Sequence, residues 1–150
     1  MPSVLKISEA ASMAMHTMVI LAASGGGTIS AKEIAARLNA SEAHLAKVMQ
    51  RLARAGLVKS TRGPKGGFVL SRRGEEITLL EVYQSIEGPL PEDGCLFEQP
   101  SCHGNGCILG GFLDQVNRDL RIYLETTTVS GQNNLYRRDE NGKEIDRTHR

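Results

Sequence analysis

Three cysteines, Cys95, Cys102 and Cys107, fall within one stretch, GCLFEQPSCHGNGCILGG, from Gly94 to Gly111. Thiolates are preferred ligands of zinc and of iron–sulfur clusters, so a C-x6-C-x4-C spacing is capable of metal chemistry. Zinc ribbons usually offer paired C-x2-C units, and this stretch has none. Gly94, Gly104, Gly106, Gly110 and Gly111 let the backbone fold tightly and aim amide N–H groups at cluster sulfides. Three ligands from one loop leave a fourth position open, which suits exchange, oxidation or reaction and therefore a sensor. The plainer reading is three reduced thiols, or a regulatory disulfide between two of them. The odd count argues against a secreted disulfide scaffold, whereas clustered cysteines in a cytosolic chain more often bind metal or do redox chemistry. Spacing alone leaves zinc, iron–sulfur and thiol chemistry open.

These thiols must be carried by a small protein. The chain has 150 residues, 40% of them hydrophobic and none of them Trp. That is one domain, or a small domain with an appendage, around an aliphatic, Met- and Ala-rich core that favours helices. No apolar run is long enough to span a bilayer, and MPSVLKISEA lacks the basic-then-apolar order of a secretory signal. The expected compartment is the cytoplasm, with no membrane partner. Net charge is +1 but unevenly distributed. Thr28 to Arg73 holds ten basic and two acidic residues, and the remainder holds eight basic and fifteen acidic. A local basic block on an otherwise acidic chain is the electrostatic footprint of a nucleic-acid module, although a solvated helical face would give the same count.

The pattern of the chain places that block on a recognisable frame. Ser8 caps a helix to about Ala23, with Ala10, Met13, Ala14, Thr17, Met18 and Leu21 on one buried face. Gly25, Gly26 and Gly27 end it. Ser30 to Glu33 forms a capping box that opens a short helix, and Asn39 is a left-handed stop. Ser41 caps the next helix, whose Leu45, Val48, Met49 and Leu52 face inward. Two helices across a turn of about three residues read as a helix-turn-helix. The second is the recognition helix, and its N-terminal residues meet base edges. Its outward candidates are Ser41, His44, Lys47 and Arg51.

Two short strands follow, Leu57–Thr61 and Phe68–Ser71, around the turn RGPKGG, with Arg62 and Lys65 at its base and tip. A β-hairpin directly after a recognition helix is a wing, and its glycines let the backbone approach a phosphate. Thr78 to Glu81 is a second capping box for a helix carrying Leu79, Val82, Tyr83 and Ile86 inward. From Ile108 to about Thr127 runs a wide apolar stripe, most simply buried by antiparallel pairing with a second copy. From Gly131 the chain is polar and reads as a flexible tail, its start anchored at most by Leu135 and Tyr136. The expected fold is mainly α with a small β-hairpin wing. A winged helix-turn-helix spans 1–88, a cysteine loop 89–111, a dimerisation helix 107–130 and a polar tail 131–150. An enzyme is not expected: there is no carboxylate cluster and no nucleophile–base pair. RGPKGG joins two strands and lacks the ending of a P-loop.

Three segments together resemble the Rrf-two (Rrf2) family of winged-helix regulators over about residues 5 to 130. They are L-x-R-A-G-L-V-K-S-x-R-G-P-K-G-G-F across Leu52–Phe68, ITLLEVYQSIEGP from Ile77, and three cysteines just before a long helix. The resemblance implies a homodimeric transcription factor on double-stranded operator DNA. It also implies an iron–sulfur cluster that reports redox state, nitric oxide or cluster supply. The long helix would form the dimer interface, with the cluster loop beside the first helix of the partner subunit. Cys95, Cys102 and Cys107 match the family's ligands, and Arg62 matches the wing arginine that enters the minor groove. Two positions depart from the pattern. Ala46 stands where some members read a base with Glu, which shifts readout onto Ser41, His44 and Lys47. The fourth ligand of one branch, a His, falls on Gly110, and that of another, an Asp, falls on Ser12. Glu9 and His16, one turn either side of Ser12, and His103 are substitutes by chemistry. The cluster is 2Fe–2S or 4Fe–4S. Two other functions fit the residues: a DNA-binding regulator with a thiol/disulfide switch and no cluster, or a metal-binding interaction module built on the same scaffold.

Overall fold

The computed structural model describes residues 7–90, 101–102, 106–109 and 111–136. Cys95, His103, Gly110 and the tail from residue 137 lie outside the described residues.

Helix α1 (Glu9–Ala23) begins where the Ser8 side chain accepts the Ala11 N–H at 3.0 Å. It is buried on more than the one face expected. Ala11, Val19 and Ile20 join Met13, Ala14, Thr17, Met18 and Leu21 in the core, so five consecutive residues from Thr17 are enclosed. A helix apolar over most of its circumference is a central one, and only Glu9, Ser12 and His16 break the apolar surface here. Helix α2 (Ala31–Leu38), helix α3 (Glu42–Arg54), helix α4 (Leu79–Glu87) and strand β2 (Gly67–Leu70) all pack on it.

Strand β1 (Val58–Thr61) pairs antiparallel with β2, with Val58 opposite Leu70 and Thr61 opposite Gly67. The strands sit one residue from the sequence expectation, and Leu57 O still accepts from Ser71 N at 3.0 Å. The pattern gave no sign of a third participant. Ile29 exchanges both backbone bonds with Phe68, at 3.1 and 2.8 Å, and so stitches the hairpin to the chain entering α2. A Cβ on Gly67 would lie 2.5 Å from Ile29 O, which is why glycine stands at that edge.

Of the two expected capping boxes, one forms. Thr78 and Glu81 satisfy each other's backbone N–H groups, at 3.2 and 3.1 Å. At α2, Ser30 accepts from Glu33 N, but the Glu33 carboxylate pairs with Arg37 one turn on at 2.5 Å.

The last long helix, α5 (Phe112–Thr126), starts later than the expected Ile108. Ile108 and Leu109 form a turn, and Gly111 stands at the N-cap without a side-chain cap. Glycine costs a helix about 1 kcal/mol relative to Ala, so it favours a boundary there. The C-terminal end of α5 is fixed to the start of α4. Leu79 N donates to Thr127 O at 2.9 Å and Val129 N donates to Ile77 O at 3.0 Å. Past α5, Ser130–Leu135 forms a 3-10 helix against α1, so the chain remains folded beyond the expected start of the tail at Gly131. Tyr136 is half-buried, with its ring edge-on to His16, while Leu135 is exposed. Among the described residues no helix is long and apolar enough to cross a membrane.

Candidate DNA interface and thiol loop

Asn39 adopts the left-handed conformation (φ 51°, ψ 43°) and turns the chain sharply between α2 and α3. Ser41 then caps α3 by accepting His44 N–H at 3.0 Å. Ser41 therefore caps the entry to the helix, and its exposed hydroxyl keeps its donor and a second lone pair. Leu45, Val48, Met49 and Leu52 are buried, as the period requires. Ala43, Ala46, Lys47 and Gln50 form exposed surface, and His44 is half-buried. Gln50, three residues after Lys47, is not among the outward candidates named from the sequence. The helical period that placed Lys47 outward also finds Gln50, whose amide can read a base edge.

Arg51 is exposed and also makes a contact within the fold. Its Nη1 donates to Ile86 O at 3.2 Å, which ties α3 to α4. Arg62, directly after β1, and Lys65, in the turn, are both exposed. Thr28 Oγ1 donates to Lys65 O at 3.1 Å, and the Gly66 N–H closes the turn on Gly63 O at 2.8 Å. The wing is thus fixed at its tip by Thr28 and along its edge by Ile29. Among the described residues, the ion pairs join Arg37 to Glu33, Arg72 to Glu81, Arg73 to Glu75 and Arg121 to Glu125. Lys47, Lys59, Arg62 and Lys65 belong to none of them and offer positive charge of the kind a phosphate backbone requires.

Cys102 and Cys107 are exposed free thiols. The Leu109 N–H donates to Cys107 Sγ at 3.4 Å. On α1, Glu9 and His16 are exposed and Ser12 is half-buried between them. His16 Nδ1 lies 2.7 Å from Ser12 O. A carbonyl only accepts, so Nδ1 is the nitrogen that donates here, and in the neutral ring Nε2 is the one left to accept or ligate. Metal-binding histidines are commonly oriented in this way. Among the described residues no group of three or more His, Cys, Asp or Glu gathers into one metal site. The donor types suit a cluster: two accessible thiols, an amide aimed at sulfur and an oriented imidazole.

Comparison with known proteins agrees with this geometry. Residues 7–131 match the family model Rrf2, described as iron-dependent transcriptional regulator. The HTH-type transcriptional regulator CymR of Bacillus subtilis is 39% identical over 87 residues, 57% of this chain and 63% of CymR. A solved structure of CymR, described as the global cysteine regulator of B. subtilis, matches with a TM-score of 0.71 at 31% identity. That match covers 86% of this chain and 96% of the other. The structure of T. potens IscR matches with a TM-score of 0.66 at 26% identity, covering 85% of each chain.

Proposed function

This chain belongs to the Rrf2 family of DNA-binding transcriptional regulators, and we propose that it acts as a homodimer whose grip on DNA is set by the state of its cysteine loop. The observation that carries this reading is positional. In chain order the thiols lie between α4, which packs on the recognition helix α3, and α5, which buries Leu124 in the core but leaves part of its apolar surface open to solvent. Ile108 is 91% exposed, Phe112 60%, Ile122 57% and Tyr123 55%. A second copy of α5 is the simplest cover for that surface.

Cys95, Cys102 and Cys107 would hold an iron–sulfur cluster, which supplies a centre that gains and loses electrons and reacts with small oxidants. His16, Ser12 or Glu9 from the partner subunit, or His103, would complete the coordination. The chain's own residues do the remaining work. Lys47 and Gln50 on α3, with Ser41 and His44 at its start, meet base edges and phosphates. Arg62 and Lys65 extend the contact through the wing. A change at the loop is felt at both α4 and α5 and alters the spacing of the two recognition helices across the dimer.

A second reading is favoured by the two exposed free thiols and by the likeness to a cysteine regulator: the same dimer switched by thiol oxidation, without a cluster. Anaerobic purification with iron and acid-labile sulfide analysis separates the two. Bound iron and sulfide, with DNA affinity that changes on their removal, supports the cluster. A colourless, iron-free protein with a reversible disulfide supports the thiol switch.

A further inference from the structure

By type and position Arg51 belongs with the DNA-contacting cations: it is exposed, on the recognition helix, one turn after Lys47. Its guanidinium instead donates to the carbonyl of Ile86, the penultimate residue of α4. The last four carbonyls of a helix have no partner within it, and a cation there also meets the negative end of the helix dipole. Arg51 is therefore a C-terminal cap supplied by the neighbouring helix. Two residues on, Gly88 turns the chain with φ 80°. Leu90 then buries its side chain in the core, and its carbonyl accepts from Arg121 of α5 at 3.3 Å. The segment 86–90 is the stem from which the cysteine loop departs, and α5 is the element to which the loop returns. One arginine from the recognition helix and one from α5 grip that stem four residues apart.

We propose that Arg51 is a positioning residue, which couples the cysteine loop's stem to the recognition helix within one subunit, and is not a phosphate contact. The proposal rests on the reading that the loop's state governs DNA binding. Arg121 and Leu90 make the stem follow α5. Arg51 adds to the packing of α3 on α4 a direct bond at the stem itself, so a shift at the loop is delivered to the DNA-reading face.

The test compares wild type, Cys107→Ser, Arg51→Met and the double variant. The probe is a DNA duplex recovered by the wild-type protein from a random-sequence pool, titrated over a range of salt. Methionine keeps most of the length of Arg51 and removes its donors and charge. The expected result has two parts. Cys107→Ser changes affinity roughly fivefold or more when Arg51 is present, and that ratio collapses toward one in the Arg51→Met background. The slope of log affinity against log salt is the same for wild type and Arg51→Met. A slope lower by about one, with the Cys107→Ser ratio retained, makes Arg51 a phosphate contact and overturns the proposal. A retained ratio with an unchanged slope overturns it as well. If Cys107→Ser has no effect even with Arg51 present, loop control itself fails and the proposal fails with it. That outcome is distinguished from the others by comparing wild type with Cys107→Ser alone.

Discussion

At the scale of single residues, the charges divide into those that hold the fold and those left for a partner. Glu81 is held by the fold. Burial pushes its carboxyl upward, but the Arg72 hydrogen bond, the Thr78 amide, the Arg72 charge and the Thr78 hydroxyl together hold it below the usual carboxylate range. A lowered folded value means that this contribution is complete above the unfolded value and is lost as pH falls through the folded one. The stability gap between wild type and Glu81→Gln in denaturant melts should therefore shrink as pH drops below about 4, the usual carboxylate range. A gap that stays constant with pH would show that the charge is not what stabilises. Arg62 joins no ion pair among the described residues, so Arg62→Ala should leave the melting temperature unchanged. Binding to DNA duplexes should weaken nearly uniformly, with a salt slope lower by about one. Thr17 is the opposite case. Its hydroxyl is buried in the middle of α1 and has no hydrogen-bond partner among the described residues. Thr17→Val keeps the shape and removes the stranded polar atom, and should stabilise the protein by about 1 kcal/mol in urea melts. A loss of stability would mean that the hydroxyl is satisfied in solution.

At the scale of elements, what could be read from the sequence was whatever a few neighbouring residues decide. Ser8, Ser41 and Thr78 are caps whose bonded N–H groups lie three residues away, and all three form as the pattern implies. The inward face of α3 follows from its period. What escaped depends on distant parts of the chain. The stitch of Ile29 to Phe68, the bond from Arg51 to Ile86 and the fastening of Thr127 and Val129 onto the start of α4 each join residues tens of positions apart. Glu33 is the instructive intermediate: its spacing from Ser30 fits a capping box, but Arg37 lies equally near and the ion pair prevails. For the thiol loop the spacing names possible donors without saying what brings them together. The wing offers a direct check on the stitch. Gly67→Ala places a Cβ 2.5 Å from Ile29 O. It should cost about 1–3 kcal/mol, as overpacking does, and reduce DNA affinity while leaving helix content by circular dichroism intact. Unchanged affinity would mean that the wing's attachment to the α2 entry does not matter for binding.

At the scale of the whole molecule, the proposed reading gives this chain a DNA-reading face, a stem and a helix with uncovered apolar surface, in that order along one path. On the proposed reading a second copy covers the apolar surface of α5. Phe112→Asp combined with Ile122→Asp should shift the species seen in analytical ultracentrifugation from dimer to monomer and weaken DNA binding, and a dimer that survives both changes would place the interface elsewhere. The central claim is that the state of the cysteine loop sets DNA affinity. Its most direct measurement is DNA binding by protein purified without oxygen, assayed as isolated and again after removal of bound iron, with iron and sulfide counted in both samples. Stoichiometric iron and sulfide are expected in the first sample, with an affinity shift of roughly fivefold or more on their loss. Equal affinity in the two samples, with iron present in the first, would contradict the central claim.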